Sequence, residues 1–201
     1  MVRLKGKRVC LIVAHEFEDV ELLYPLLRLS EEGASVVVAT LPKDRHFHTR
    51  PFLQDKPITG RFGSTVPIVV LKEGKRYIHR EIDELQASDF DALVFPGGFS
   101  PDYLRIHRKT LTLTAEAYRA GKLVAAICHG PQVFISVDRV MGTDLVRNRK
   151  VTAFEAVRDD LLNAGGEYLD VPAVRVGNVI TGRVPDDLPE FCQEIIRFLG
   201  E

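Results

Sequence analysis

Short, almost uninterrupted apolar runs are the feature that most constrains how this chain can fold. Four of them are RVCLIVA (8–14), SVVVATL (35–41), DALVFP (91–96) and KLVAAI (122–127). Strands that helices cover on both faces have this composition, whereas strands with one wet face alternate apolar and polar residues. Longer amphipathic segments separate the runs. The pattern predicts an α/β fold with a mostly parallel central sheet, in which these runs are the central strands.

The segments between the runs carry helix signals. Apolar residues recur at helical spacing from Val20 to Leu27 and stop at Glu32-Gly33, and Pro25 is expected to kink this helix or remove one of its hydrogen bonds. Helices are also predicted over 101–121, from Pro131 onward, around 157–162 and over 188–199. Two β-like runs, PIVVLK and RYIH, lie within residues 42–80, which we interpret as a hairpin or an excursion at the sheet edge.

Size and charge narrow the class of protein. A chain of 201 residues, 45% of them hydrophobic, is long enough for one sizeable core and is predicted to form one domain. The formal net charge of −1 and the lack of a basic stripe give no reason to expect nucleic-acid binding. No apolar run approaches the roughly 18 residues that a membrane helix needs, and the first is too short for a signal peptide. We therefore expect a soluble, cytoplasmic protein without a membrane partner.

The cysteines and histidines predict neither a disulfide nor a metal site. Cys10, Cys128 and Cys192 show no paired spacing, which favours three reduced thiols. The pair His46 and His48 lacks the neighbouring Cys, Asp or Glu residues that would complete a metal site, so solvated loop residues are expected there. No cofactor is predicted.

The stretch AAICHGPQ (125–132) places Cys128 where a buried strand turns into a helix. Such a turn lifts the intervening side chain to the carboxyl edge of the sheet, where ligands of open α/β sheets bind. The N-terminus of the following helix would stabilise a thiolate, and His129 is a candidate base beside it. A buried core thiol explains Cys128 equally well at this level, because most free cysteines are small core residues. Cys10, inside a strand, and Cys192, inside a helix, are expected to be such packed thiols.

Two further segments are expected at the same sheet edge. The stretch HEFEDVELL follows the first strand and contains four carboxylates, those of Glu16, Glu18, Asp19 and Glu21. They are either helix caps, or one of them is an acid that contacts Cys128. The pair Gly97-Gly98 follows the third run, either as a simple turn or as a source of free N–H groups for an oxyanion hole.

Together, EFEDVELLYPLLRL, LVFPGGFSPDYLR and AAICHGPQ resemble, in order and spacing, the PfpI family of cysteine enzymes, within the class I glutamine-amidotransferase-like superfamily. The resemblance covers residues 7–199 as a single domain and implies a flavodoxin-like three-layer sandwich with a nucleophile elbow. It implies that Cys128 is the nucleophile, His129 its imidazole partner and Glu18 the carboxylate that hydrogen-bonds the thiol. By the same resemblance Asp102 reaches the histidine of a neighbouring subunit, so the chain is expected to be at least a dimer, or a hexamer built from dimers. The oxyanion site would lie at the Gly97-Gly98 turn, with the N–H groups of Gly98 and His129 lining it.

This chain departs from the family pattern around the expected pocket. Phe99 stands where many relatives have histidine, Arg61-Phe62-Gly63 where many read KHG, and Thr152 to Glu155 lack a tyrosine and a proline that are common there. The departures bear on substrate preference more than on the nucleophile.

Three functions follow as hypotheses. The first is an enzyme that acts on reactive carbonyls, of the glyoxalase or protein deglycase type, through a Cys128 thiolate, with small carbonyls or glycated proteins as substrates. The second is an intracellular peptidase or amidase that uses Cys128, His129 and Asp102 on peptides. The third is a stress protein whose Cys128 senses oxidants or whose surface holds unfolded clients.

Overall fold

A seven-stranded sheet forms the centre of the computed structural model, which describes residues 3–42 and 56–201. In spatial order its strands are β10 (Ala173–Val176), β11 (Val179–Gly182), β7 (Leu123–Ile127), β6 (Ala92–Phe95), β1 (Arg8–Val13), β2 (Ser35–Thr40) and β5 (Ile78–Glu81). All neighbours are parallel except β10 and β11. The four runs predicted as central strands are β1, β2, β6 and β7, and they lie side by side, which confirms that prediction.

Helices cover both faces of the sheet. They are α1 (Asp19–Glu31), α2 (Ser100–Leu104), α3 (Arg108–Arg119), α4 (Pro131–Met141), α5 (Arg158–Asn163) and α6 (Leu188–Gly200). Two small strand pairs stand outside the main sheet: the antiparallel β3 (Ile58–Thr59) and β4 (Thr65–Val66), and the parallel β8 (Lys150–Val151) and β9 (Glu167–Tyr168). Over the described ranges, no helix is both long and apolar enough to cross a membrane.

Alternating side chains of the buried strands divide the core between two faces. In β1, Cys10 and Ile12 pack on the face that α3 and α4 cover, through residues such as Phe134. Leu11 packs on the opposite face, which α1 and α6 cover, through residues such as Phe191. The result is the predicted three-layer sandwich.

The prediction of one continuous helix over 101–121 is wrong. The chain forms α2 and then α3, separated by residues 105–107. His107 is extended there, with its ring nitrogen Nδ1 hydrogen-bonded to the Thr110 hydroxyl at 3.0 Å, so α3 starts anew. Pro25, by contrast, lies within α1, which continues on both sides of it.

Within residues 42–80, the two β-like runs do not form a hairpin with each other. A hairpin is formed instead by β3 and β4, and β5, which begins within RYIH, lies at the sheet edge as the alternative predicted. The run PIVVLK is not a strand. Its residues 68–71 form a turn closed by a hydrogen bond from the Leu71 N–H to the Ile68 carbonyl, and Val69 and Val70 are exposed. The histidine pair 46 and 48 lies outside the described residues.

Candidate active site

A sharp turn joins β7 to α4 and carries Cys128. Cys128 has φ of +61°, in the left-handed region, which costs an L-residue roughly 1–2 kcal/mol. Gly130 follows in the turn, and a Cβ there would stand 2.5 Å from the Phe95 carbonyl oxygen, so only glycine fits. Pro131 then opens α4 at its first turn. The turn therefore aims the Cys128 side chain out of the sheet at its carboxyl edge.

The sulfur of Cys128 lies among backbone donors. The N–H groups of Gly98 and His129 lie near enough to the sulfur to favour its thiolate form, and the residue is only 8% exposed. These two N–H groups are those that the sequence predicted for an oxyanion site. Gly97, which the sequence also assigned to that site, donates its N–H at 2.6 Å to the carboxylate of Glu21. Gly97 is nevertheless required for the close packing, because a Cβ there would stand 2.7 Å from the Cys128 Cβ.

The carboxylate beside the thiol is that of Glu21, which corrects the assignment of Glu18. Glu21 is completely buried and interacts with the Cys128 thiol, and its Oε1 has no hydrogen-bond partner among the described residues. Glu18 precedes the first residue of α1, and its carboxylate pairs with the Arg61 guanidinium at 3.0 Å. The difference comes from where α1 begins, because only a residue inside its first turn faces the elbow.

Charge and burial shift the pKa values of this pair. Burial raises the pKa of Glu21 to about 7, and the Gly97 N–H offsets part of the rise. Burial and the Glu21 charge raise the pKa of the Cys128 thiol above its ordinary value, against the opposing effect of the Gly98 and His129 N–H groups. The His129 N–H, just before α4, acts in favour of the thiolate, as predicted for this helix N-terminus, but burial and the Glu21 charge outweigh it. A thiol with a raised pKa needs a base in order to act as a nucleophile, and the Glu21 carboxyl lies where it can serve as that base.

His129 is half-buried between two aromatic rings. Its ring centroid lies 6.2 Å from that of Phe99 and 5.2 Å from that of Phe154. Burial lowers the pKa of His129, and the negative charge of Asp102 acts in the opposite direction. Asp102 is exposed, and within the described chain no hydrogen bond joins it to the imidazole. One copy of the chain thus leaves the imidazole without the acidic hydrogen-bond partner that the sequence expected.

Arg61 is a residue of the site that the sequence analysis did not assign a role. It pairs with Glu18 and lies over the Phe99 ring, with the Arg61 Cζ 5.3 Å from the ring centroid. The only sign of Arg61 in the sequence was that Arg61-Phe62-Gly63 stands where many relatives read KHG. For metals, the described residues contain no group of three or more His, Cys, Asp or Glu side chains suited to hold an ion.

Comparison with known proteins places this geometry in a family. The model of the DJ-1/PfpI family matches residues 7–198. The chain belongs to the DJ-1/PfpI family. The protein/nucleic acid deglycase 2 of Escherichia coli is 36% identical over 196 residues, which are 97% of this chain and 99% of that protein. The "Putative cysteine protease YraA" of Bacillus subtilis is 36% identical over 96% of this chain and 99% of its own.

A solved structure shares the DJ-1/PfpI fold. The two-domain protein of Anabaena variabilis, with a DJ-1/ThiJ/PfpI-like and a ferritin-like domain, is 35% identical with a TM-score of 0.79. The match covers 96% of this chain and 50% of that two-domain chain. The flavodoxin-like class of DJ-1/PfpI proteins and the prediction of a PfpI-type enzyme are confirmed. The two cysteines that DJ-1/PfpI chemistry does not need here, Cys10 and Cys192, are buried free thiols, as predicted.

Proposed function

We propose that this protein is a cysteine-dependent enzyme acting on reactive carbonyls, as a deglycase or glyoxalase. The observation that carries the proposal is the buried Glu21 carboxyl next to Cys128, with a pKa raised to about 7. A group that titrates near neutral pH can both take and return a proton, which rearrangement of a dicarbonyl requires. The deglycase names of relatives, including Deglycase PH1704 of Pyrococcus horikoshii at 35% identity, support it.

The first step forms a carbon–sulfur bond. Glu21 takes the thiol proton as the Cys128 sulfur adds to the aldehyde carbon of methylglyoxal. The carbonyl π bond becomes an oxyanion, which the Gly98 and His129 N–H groups stabilise. Protonation of this oxygen by Glu21 gives the hemithioacetal, so the thiol proton ends on the substrate oxygen and Glu21 is again a carboxylate, ready to act as a base.

The second step moves hydrogen within the substrate. A base, Glu21 or His129, removes the proton from the carbon bonded to sulfur, and an enediol forms. Return of a proton to the neighbouring carbon gives a lactoyl thioester: the first carbon is oxidised and the second reduced, so no external oxidant is needed. Water then cleaves the thioester to lactate and regenerates the thiol. Overall, methylglyoxal and one water give lactate and a proton.

Deglycation uses the same steps with another leaving group. In a hemiaminal formed from methylglyoxal and an amine, the sulfur attacks the hemiaminal carbon and the carbon–nitrogen bond breaks. The amine leaves with a proton from the acid, and the hemithioacetal continues to lactate. Glycated amines are therefore substrates of the same site.

The test follows lactate by proton NMR with methylglyoxal as substrate. We expect wild type to form lactate, Cys128→Ser to form it only at the rate of the uncatalysed reaction, and Cys192→Ala to match wild type. The last variant is the matched control because Cys192 is a buried thiol in α6, away from the elbow. Equal lactate from wild type and Cys128→Ser would overturn the proposal.

A peptidase is the second candidate, and the charge of Asp102 acting on His129 favours it. It requires an acyl-enzyme on Cys128, with an amide rather than an aldehyde as the electrophile. Mass spectrometry of the protein after mixing with a peptide ester distinguishes the two. A stable acyl adduct with no lactate from methylglyoxal would replace the carbonyl proposal by this one. Sulfinic acid on Cys128 at mild peroxide, with no turnover of either substrate, would instead support the oxidant-sensing hypothesis.

A further inference from the structure

Arg61 lies at the edge of the Cys128 site on a turn that the structure holds firmly. The turn joins β3 to β4, and the Asp19 carboxylate accepts the N–H groups of Phe62 at 2.9 Å and Ser64 at 2.7 Å. The Arg61 N–H itself donates to the Phe17 carbonyl at 3.0 Å. Gly60 allows this approach, because a Cβ there would collide with Asp19. The backbone of Arg61 is therefore fixed relative to the start of α1.

The guanidinium of Arg61 faces the groups that surround the thiol. The ring of Phe99 lies between Arg61 and His129 and contacts both. The positive charge of Arg61 acts on Glu21 and on His129, lowering the pKa of each. Arg61 is the cation that contributes to the pKa of both groups.

Arg61 also keeps free hydrogen-bonding capacity. Nη1 binds Glu18 at 3.0 Å, while Nε and Nη2 have no partner among the described residues. The side chain is 43% exposed, so a ligand entering the site can reach it. A guanidinium that rests on an aromatic ring and offers two donors suits a carboxylate, which it can bind through two parallel hydrogen bonds.

We infer that Arg61 is a specificity-determining residue that binds a carboxylate of the substrate. This inference rests on the proposed function and names the substrate class as carbonyl adducts of free α-amino acids. In such a hemiaminal the carboxylate is three bonds from the carbon that the sulfur attacks, whereas an adduct on a lysine side chain of a protein has no carboxylate near that carbon. The site then prefers small, anionic adducts to neutral ones.

Alkylation of Cys128 tests the inference without any turnover. Iodoacetate and iodoacetamide both form a carbon–sulfur bond with loss of iodide, but only iodoacetate carries a carboxylate. For each protein, the rate ratio of iodoacetate to iodoacetamide is measured by mass spectrometry of the Cys128 peptide. We expect Arg61→Gln to lower this ratio about tenfold, since charge-assisted hydrogen bonds are of that strength. Arg61→Lys should fall between wild type and Arg61→Gln.

Two variants make the result specific. Arg158, whose guanidinium lies over the Tyr168 ring, is the matched control, and Arg158→Gln should leave the ratio within about twofold of wild type. Glu18→Gln should raise the ratio, because it removes the carboxylate that competes for Arg61. The iodoacetamide rate reports whether each variant keeps an intact elbow. A ratio that Arg61→Gln leaves unchanged would overturn the inference.

Turnover provides the second arm. The methylglyoxal adducts of alanine and of alaninamide differ in the carboxylate alone, and wild type should have a kcat/KM about tenfold higher for the alanine adduct. In Arg61→Gln the kcat/KM values for the two adducts should lie within about twofold of each other. Equal kcat/KM values in wild type would overturn the inference. If wild type turns over neither adduct, the proposed function fails, and the alkylation ratio still decides the role of Arg61.

Discussion

Glu21 gives the protein a stability that depends on pH. Burial raises the pKa of Glu21 from 4.5 to about 7, so between these values the folded protein binds more protons than the unfolded chain. The free energy of unfolding therefore falls as pH rises through this window, by about 3 kcal/mol at 1.36 kcal/mol per pKa unit. Glu21→Gln should lose this dependence and gain stability relative to wild type between pH 4.5 and 8.

Urea unfolding at pH 4.5 and pH 8 measures this prediction. Subtracting the unfolding free energy of wild type from that of Glu21→Gln at each pH removes the contribution of His129, which both proteins share. The lowered pKa of His129 by itself makes the unfolding free energy rise with pH over part of this range. If wild type and Glu21→Gln differ in unfolding free energy by the same amount at both pH values, the Glu21 carboxyl titrates in the folded protein as it does in the unfolded chain.

Glu21 and Glu18 should differ sharply in their effect on catalysis. Glu21→Gln removes the base beside the thiol and should lower kcat/KM for methylglyoxal by about 10²–10⁴-fold. Glu18→Gln keeps that base and should change this value by less than about tenfold, since Glu18 pairs with the exposed Arg61. Initial rates of lactate formation for both variants test the assignment. A larger loss for Glu18→Gln would restore the assignment made from the sequence.

The sequence predicted Cys128 and His129 as a pair but not the correct glutamate. The small residues around Cys128 define its turn locally, whereas the glutamates lie in a row where α1 begins. Glu18 and Glu21 are three residues apart, so they project on similar sides of a helix. Only the start of α1 at Asp19 decides which of them is inside the first turn. A sequence pattern predicts that a helix is present more accurately than it predicts the residue at which the helix starts.

Asp138 fixes the connection between α4 and β8. It is buried, and its carboxylate accepts hydrogen bonds from the Thr143 hydroxyl at 2.7 Å and from the N–H groups of Leu145, Val146 and Arg147 at 2.7, 2.8 and 3.2 Å. Asp138→Ala would leave three backbone donors without that acceptor, and we expect a loss of about 3 kcal/mol in unfolding free energy. Asp138→Asn, with one acceptor oxygen left, should lose less.

Chemical denaturation of both variants, with Asp144→Ala as the exposed control, measures this effect. The Cys128 alkylation rate should stay near the wild-type rate, because α4 begins at Pro131 and Asp138 lies in its last turns. Equal stability of Asp138→Ala and wild type would show that water replaces the carboxylate at no cost.

Elements defined by continuous burial were predictable, and elements defined by specific contacts were not. The strand LVAAI (123–127) follows from composition because both of its faces are covered. The run PIVVLK has the same composition, but Pro67 has no N–H and the Ile68 N–H donates to the Tyr77 hydroxyl at 2.7 Å instead of to a neighbouring strand. The break between α2 and α3 likewise depends on a His107 contact that no glycine or proline announces.

The order of the sheet assembles the whole site. β7, β6 and β1 are neighbours and parallel, so the segments that follow them meet at one edge. They carry Cys128, Gly98 and Glu21 respectively. The apolar runs predict a parallel sheet, but not which strands are adjacent. The family resemblance implied the flavodoxin-like class, and the structure shows the strand order itself. The single-domain boundary at 7–199 and the cytoplasmic location stay predictions.

Assembly of two copies is the last prediction, and it concerns His129. Within one chain, Asp102 is exposed and makes no hydrogen bond to the imidazole, although its charge acts on it. If Asp102 of a second copy completes the site, Asp102→Ala and Cys128→Ser subunits should complement each other. Each variant alone should be weakly active or inactive. After unfolding and joint refolding, half of the dimers are mixed and each has one complete site, so about a quarter of wild-type activity should return.

The control for this experiment is a mixture of Cys128→Ser with the double variant Asp102→Ala/Cys128→Ser, which contains no Cys128 and should stay inactive. Sedimentation of each mixture establishes that dimers re-formed, so that inactivity cannot come from failed assembly. Re-formed dimers with no more activity than the sum of the separate variants would show that Asp102 does not act across subunits. His129 would then work without an acidic partner, with its neutral imidazole favoured by burial, and the Cys128–Glu21 pair would carry the proton transfers of the site by itself.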